Sequence, residues 1–436
     1  MRRWMPLSLS ISARSRQPRA RFLSTATREV ERVKIRSGSS GSINIDLYNI
    51  ANLPSSDALL LYLPPYSVTS PRDAFHPPSF CLRYPTAVIN YRWSGFSPFR
   101  VPNTSSFGSP GKDGKHRKKY LGWPTPIHDV LNAYTWILEN FRPPDHARKA
   151  IYVYGSYLGA SLASSLALTE SYLHRPMTIR GCIAYNGIYE WTRCCPDHPI
   201  HKIKRRIKTE HGYRSVVKFR PMTPSWDADF HTIEQNIEQL FGDPQHLFDP
   251  FASPCLFFYT PGLLAPPSFN VSATSIPSLR KTYPDLKDET LISIGAMLNN
   301  SKSSKLVYPP PDELRGTPEM LLLYTKTPNT QKLRVKRHRR PSPGRNFKDQ
   351  AERFSAAIRD QIKFEDSGGP EDWEDWEEPE KQREEKEREE EAMRLREQLS
   401  QVHRVGINPE MGELSGEGDE LAATWLEESI DKLTWS

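Results

Sequence analysis

Apolar residues fall in short continuous runs, and these runs alternate with stretches of helical spacing. "DALLLYLPPYS" (Asp57–Ser67) and "TAVINYRW" (Thr86–Trp93) read as buried strands, the second with β-branched and aromatic character. "AIYVYG" and "RGCIAYNGIYEW" read as two more, and "PEMLLLYT" and "KLRVKRH" as the last pair. Between them, "TPIHDVLNAYTWILENF" (Thr125–Phe141) carries Val130, Leu131, Tyr134, Ile137 and Leu138 at spacings of three and four, one apolar helix face. "ASLASSLALTE" predicts a buried helix, and "FKDQAERFSAAIRDQI" a closing amphipathic one. Continuous apolar strands alternating with helices predict an α/β chain, a mostly parallel sheet flanked by helices.

Several stretches break the alternation. "VPNTSSFGSPGKDGKHRKK" has the composition of an exposed loop. The segment from Thr192 to about Pro250 is basic and irregular in pattern, and reads as a cap insertion over the strand ends. Residues 261–318 are rich in Ser, Pro and Lys and predict a poorly ordered excursion. From about residue 364, "EDSGGPEDWEDWEEPEKQREEKEREEEAMRLREQLSQ" predicts an acidic tail, partly helical or disordered, running to Ser436. The packed domain is therefore expected over residues 43–363.

Composition supports this division. A chain of 436 residues suggests two or three domains, but 37% hydrophobic residues and 39 prolines leave both ends unlike a packed core. Residues 1–28 hold seven arginines and several serines, with no acidic residue before Glu29. That is the composition of a mitochondrial transit peptide, with "ARFLSTA" offering a cut near Leu23 or Ser24. A mitochondrial protein, of the matrix, is expected. Five cysteines without framework spacing predict reduced thiols. No apolar run has the length of a membrane-spanning helix.

The chemistry turns on "IYVYGSYLGASLASSLALTE" (Ile151–Glu170), which predicts a strand, a tight turn and a helix. Serine hydrolases present their nucleophile on such a turn, in the pattern G-x-S-x-G, and the flanking glycines admit the crowded bend. Here Gly155 and Gly159 flank Tyr157, and Ser156 lies one residue early. Ser161 offers a rival register that would delay the turn by a full helical turn. A phenol is bulky, and with a pKa near ~10 it needs strong activation to attack a carbonyl.

"GSYLGASLA" resembles the elbow G-D-S-A-G-G-x-L-A of the hormone-sensitive-lipase-like branch of the α/β-hydrolase superfamily. The layout also resembles fungal mitochondrial α/β-hydrolase-like proteins. "NYRW" resembles the strand that ends in Y-R, and "GWPTPIHDVLNAYTWILEN" the helix with a P-x-x-x-x-D pattern. "DPFASPCLF" resembles the segment N-P-x-x-S-P. The resemblance implies an α/β-hydrolase fold with a cap, and it also implies a degenerate apparatus. Pro64, Pro65 and Tyr66 stand where the family carries the H-G-G-G oxyanion loop, and proline has no N–H to donate. The acid should follow the penultimate strand, yet "LLLYTKTPNTQK" contains no carboxylate. His338 falls near the place of the catalytic histidine. The implied protein is a non-catalytic scaffold, or a ligand- or partner-binding protein, with Tyr157 in the former pocket or an apolar small ligand kept there. The alternatives are a carboxylester or thioester hydrolase using Ser156 or Ser161, with His338 as base, and an accessory subunit of a mitochondrial assembly. No cofactor is implied.

Other clusters are weaker. "CCPDHPIHK" gathers Cys194, Cys195, Asp197, His198 and His201, but adjacent cysteines are awkward ligands, and a polar loop is expected rather than a metal site. A formal charge of +7 and basic runs at 112–119, 202–208 and 332–340 permit RNA or anionic lipid as partners. Interleaved aromatics are few along these runs, so neither is the leading expectation. Trp373 and Trp376 in the acidic tail could anchor a protein partner.

Overall fold

In the computed structural model the described residues are 30–38, 41–55, 58–65, 76–93, 121–144, 147–209, 212–219, 225, 227–269, 271–273, 279–281, 283–287, 289–291, 316–325, 343–366, 394, 399–406 and 414–434. Residues 1–28, where a transit peptide is expected, Tyr66, the predicted strand "KLRVKRH" with His338, and Trp373 and Trp376 lie outside them.

Ten strands are described: β1 (Val30–Ser37), β2 (Gly41–Tyr48), β3 (Ala58–Leu63), β4 (Thr86–Asn90), β5 (Lys149–Ser156), β6 (Met177–Tyr185), β7 (Lys202–Thr209), β8 (Gly212–Phe219), β9 (Glu319–Thr325) and β10 (Ser400–Val405). The helices are α1 (Thr125–Asn140), α2 (Leu158–Thr169), α3 (Ala228–Gln235), α4 (Ile237–Phe241), α5 (Phe347–Asp366) and α6 (Gly416–Thr434). Eight strands form one sheet in the order β1-β2-β4-β3-β5-β6-β9-β10, while β7 and β8 pair only with each other. The β1–β2 and β2–β4 pairs are antiparallel and all later neighbours parallel, so β2 alone runs against its sheet. This is the α/β-hydrolase fold, a mostly parallel sheet flanked by helices. The fully buried strands explain the continuous apolar runs: every residue of β3 and β4 is buried.

Helices cover both faces. On β5, Gly155 touches α2, whereas Tyr152, of opposite parity along the strand, meets Trp425 of α6 edge-on at 6.3 Å between ring centres. Two resemblances become one contact. Arg92 and Asp129, from "NYRW" and the P-x-x-x-x-D helix, form a buried pair with Nη2 2.7 Å and Nε 3.0 Å from the carboxylate. The backbone N–H of Arg92 adds a third bond at 2.8 Å. These residues hold strand to helix rather than serving chemistry.

Two expected boundaries need correction. The domain does not begin at residue 43, because β1 from Val30 already pairs with β2. Nor does it end at 363: β10 is the outer parallel neighbour of β9, and α6 brings Trp425 against Tyr152 of β5 and Gly181 of β6. Trp425 is buried, and the space it fills is left by Gly181, where a Cβ would stand 2.8 Å from its ring. The charge run masked this return. A half-buried six-residue strand carries too few apolar positions to stand out after it.

Between β6 and β9 the chain leaves the sheet. This excursion holds the β7–β8 ribbon, α3 and α4, and then a turn at Pro254–Phe257. Leu279 and Leu291, in the segment read as poorly ordered, are buried.

Candidate functional site

The sharp bend falls at Tyr157. Its backbone has φ 51° and ψ −111°, a combination that L-residues rarely adopt, between the end of β5 and the start of α2. The two glycines permit the crowding. A Cβ on Gly155 would lie 2.4 Å from the Gly159 carbonyl oxygen, and one on Gly159 would lie 2.2 Å from that of Leu63. The glycine pair four apart thus sets the register, and a phenol occupies the apex.

The two serines sit elsewhere. Ser156 is fully buried at the last position of β5. Ser161 lies one turn inside α2, where its hydroxyl donates to the Ile188 carbonyl at 2.5 Å. The rival register that centres the turn on Ser161 is therefore not the one adopted.

Aromatic rings enclose the apex. Tyr157 is only 3% exposed and meets Tyr185 and Phe347 edge-on, at 5.6 and 5.4 Å between centres. Phe230 of α3 packs on Phe347 in turn, at 5.4 Å. The Tyr157 hydroxyl donates to Asp229 Oδ2 at 3.2 Å, in the first turn of α3. Burial, aided by Tyr185 and the Asp229 charge, pushes the phenol pKa well above its ordinary value. Burial also raises the Asp229 carboxyl, against the opposing pull of the Tyr157 hydrogen bond. An anionic nucleophile at this apex is disfavoured by both its surroundings and its partner.

The oxyanion position offers acceptors. Pro64 and Pro65 follow β3 and bring no N–H, and the Pro64 carbonyl accepts from the Tyr91 hydroxyl at 2.5 Å. The Leu63 and Pro64 carbonyls face Gly159, so that side of the elbow is lined with oxygen. A developing oxyanion needs donors at that place.

At the acid position the strand ends are closed by a neutral pair. Asn186, at φ 50° after β6, donates from Nδ2 to Thr325 Oγ1 at 2.8 Å, and its Oδ1 accepts from Thr325 N at 2.8 Å. The Thr325–Lys332 stretch contains no carboxylate, and Asp229 reaches Tyr157 from α3 instead.

The "CCPDHPIHK" residues each have a separate role. Glu190 is buried and accepts from Arg193 Nε at 2.6 Å, with His198 Nε2 at 2.9 Å. Burial alone would raise its carboxyl, but His198 and Arg193 outweigh that and hold it down to about 2. His201 lies 2.9 Å from the Arg193 carbonyl, and burial lowers its pKa to about 4. Burial pushes the Cys195 thiol up to about 12 and Cys194 well above its ordinary value. Among the described residues no three His, Cys, Asp or Glu side chains converge on a metal position. Gln350 ties this loop to α5, accepting from the N–H groups of Tyr189 and Glu190 at 3.0 and 2.8 Å. Gln350 lies one turn beyond Phe347, so the network fixes the ring that covers Tyr157.

Asp229, Phe230, Phe347, Asn186 and Glu190 were not singled out from the sequence. Only α3 left a signal, the N-cap Asp227, whose carboxylate accepts from Asp229 N and Phe230 N at 3.2 Å each.

No family model matches the chain, and no curated protein matches it. Among solved structures it is similar to carboxyl esterase 2 of Tuber melanosporum, at 13% identity and TM-score 0.35, covering 78% of this chain and 76% of that one. It is also similar to a fungal esterase of Rhizomucor miehei, at 11% identity and TM-score 0.39, covering 93% and 84%. Esterase LipW of Mycobacterium marinum is similar at 16% identity and TM-score 0.30, covering 53% and 59%.

Proposed function

We propose that this chain is a non-catalytic α/β-hydrolase-fold protein of mitochondria, acting as a scaffold that binds a ligand or a partner. The observation that carries the reading is Tyr157 at the apex, its hydroxyl on Asp229 and its ring enclosed by Tyr185 and Phe347. Acyl transfer by a serine hydrolase needs an exposed nucleophile, a neighbouring base and oxyanion donors. Here the apex is buried, the phenol is hard to ionise, and the oxyanion position presents the Leu63 and Pro64 carbonyls. The solved structures named above are described as esterases, which makes hydrolysis the rival reading. Ser156 and Ser161 are both buried, and Ser161 is already bonded to a carbonyl.

The purified mature protein should turn over p-nitrophenyl acetate and butyrate no faster than a Tyr157→Phe control. Turnover well above background that this substitution abolishes would overturn the reading. The mitochondrial assignment rests on the composition of residues 1–28. N-terminal sequencing of the endogenous protein should begin near Leu23 or Ser24, and an intact leader on a cytosolic pool would contradict it.

A further inference from the structure

A bulge in β6 aims an arginine at the side of the sheet that α6 covers. Register with β5 passes from Ile151↔Ile179 to Tyr152↔Gly181, so Arg180 is the extra residue. An inserted residue of this kind re-aims side chains. Tyr152 and Gly181 face Trp425 of α6, and Arg180 lies within electrostatic reach of Tyr152. Arg148, the residue before β5, acts on Arg180 as well. The eight residues of β5 separate this pair from Tyr157 at the other end of the strand.

The two cations are not balanced. Arg180 is half-buried and Arg148 exposed, and no ion pair among the described residues includes either. Carboxylates on this side are engaged elsewhere. Glu319, opposite Gly181, accepts from Ser429 Oγ at 2.8 Å and Lys432 Nζ at 3.3 Å, and Glu427 accepts from Arg83 Nη1 at 3.2 Å. Arg92 and Arg193, which are also sheltered, each meet a buried carboxylate instead. Burial lowers the Arg180 pKa, and the like charge of Arg148 lowers it further, against a smaller opposing effect of Tyr152. A partly desolvated guanidinium beside a second cation costs stability that a bound anion would restore.

We propose that Arg148 and Arg180 form a binding site for a phosphate group. Two guanidinium groups match the charge of a dianion, whereas a carboxylate would leave one of them unbalanced. The planar fork of arginine suits phosphate oxygens, which accept several N–H bonds at once. Burial keeps the Tyr152 phenol protonated, so it adds no competing negative charge. The exposed Arg148 gives the phosphate a route in from solvent. A soluble phosphomonoester and a lipid headgroup present the same chemistry, and the test separates them. The site shares no residue with the elbow, so its failure would leave the non-catalytic reading standing.

The test is isothermal titration calorimetry of the full-length mature protein with glycerol phosphate at low salt. One-to-one binding with a dissociation constant of about 1 mM or tighter is expected. A phosphomonoester gains its second charge near pH ~6, so affinity should rise several-fold between about pH 5 and 7. Arg180→Gln should weaken binding about tenfold or more, and Arg180→Lys, which keeps the charge without the fork, about threefold or more. Arg148→Gln, at an exposed position, should weaken it about fivefold and carries the test if Arg180→Gln misfolds. Glycerol phosphate should raise the melting temperature of the parent and not that of a folded Arg180→Gln variant. Co-sedimentation with vesicles of phosphatidic acid in phosphatidylcholine identifies the source. Arginine-dependent sedimentation without binding of glycerol phosphate would assign the phosphate to a lipid headgroup, and the reverse would assign it to a soluble ester. Binding of neither would overturn the proposal. So would equal binding by the folded glutamine variants, or acetate binding as tightly as glycerol phosphate.

Discussion

Replacing Gly159 by alanine tests the elbow at its tightest point. The new Cβ would stand 2.2 Å from the Leu63 oxygen and 2.5 Å from the Pro64 oxygen. Contacts of this kind essentially never fall under 3.0 Å, so at least 3.0 less 2.2, or 0.8 Å, must be relieved by movement of backbone. Neither oxygen can yield easily. Leu63 ends β3 in register with Gly155, and the Pro64 carbonyl is held by Tyr91. The added methyl is therefore overpacking against fixed main chain, worth about 3 kcal/mol, the upper part of the usual range. Gly416→Ala is the control: nothing lies within 4 Å of its would-be Cβ, and its backbone does not lie in the positive-φ region. Urea unfolding followed by tryptophan fluorescence should shift the midpoint of Gly159→Ala by about 1 M or more, and that of Gly416→Ala by much less. If Gly159→Ala were as stable as Gly416→Ala or more so, the close approach of α2 to the β3 loop, and with it the register of the turn, would be wrong.

Three other outcomes follow from the same geometry. Tyr157→Ser places a hydroxymethyl group at the apex but empties the aromatic cluster and strands Asp229, so thermal melts should show a loss of about 3 kcal/mol and ester assays no turnover. Glu190→Gln should destabilise the protein by on the order of 3 kcal/mol at pH 7, because the folded carboxyl sits near about 2 against an ordinary 4.5. A depressed carboxyl contributes stability above its unfolded pKa and loses it as pH falls, so the gap to wild type should close between about pH 4.5 and 2. His201, lowered to about 4, adds a separate loss in both proteins as pH drops below its ordinary 6.5. Truncation after residue 398 should yield insoluble or unfolded protein, because it strips β10 from the edge of β9 and Trp425 from Tyr152; a soluble, cooperatively melting product would contradict the place given to the C-terminal segment.

The parts of the fold legible in the sequence are those where one signal dominates. β3, β5, β9 and α1 lie on the runs that predict them, because fully buried strands leave no polar alternation to confuse the pattern. The apex was legible for a similar reason, since steric exclusion at Gly155 and Gly159 constrains spacing as well as shape. The contacts of Tyr157 were not. Asp229 is 72 residues away along the chain and the rings that cover Tyr157 come from β6 and α5, so only tertiary structure brings them together. β10 and α6 were overlooked because a charged run precedes them, although Ala422, Trp425, Leu426 and Ser429 keep the spacing of a buried helix face.

The most direct test of the account is treatment of the mature protein with a fluorophosphonate probe, followed by peptide mass mapping. The buried phenol and buried serines predict no adduct on Tyr157, Ser156 or Ser161 under conditions that label an active esterase fully. A stoichiometric adduct on any of the three, lost after heat denaturation, would mean that the elbow presents a working nucleophile and that the chain is an enzyme.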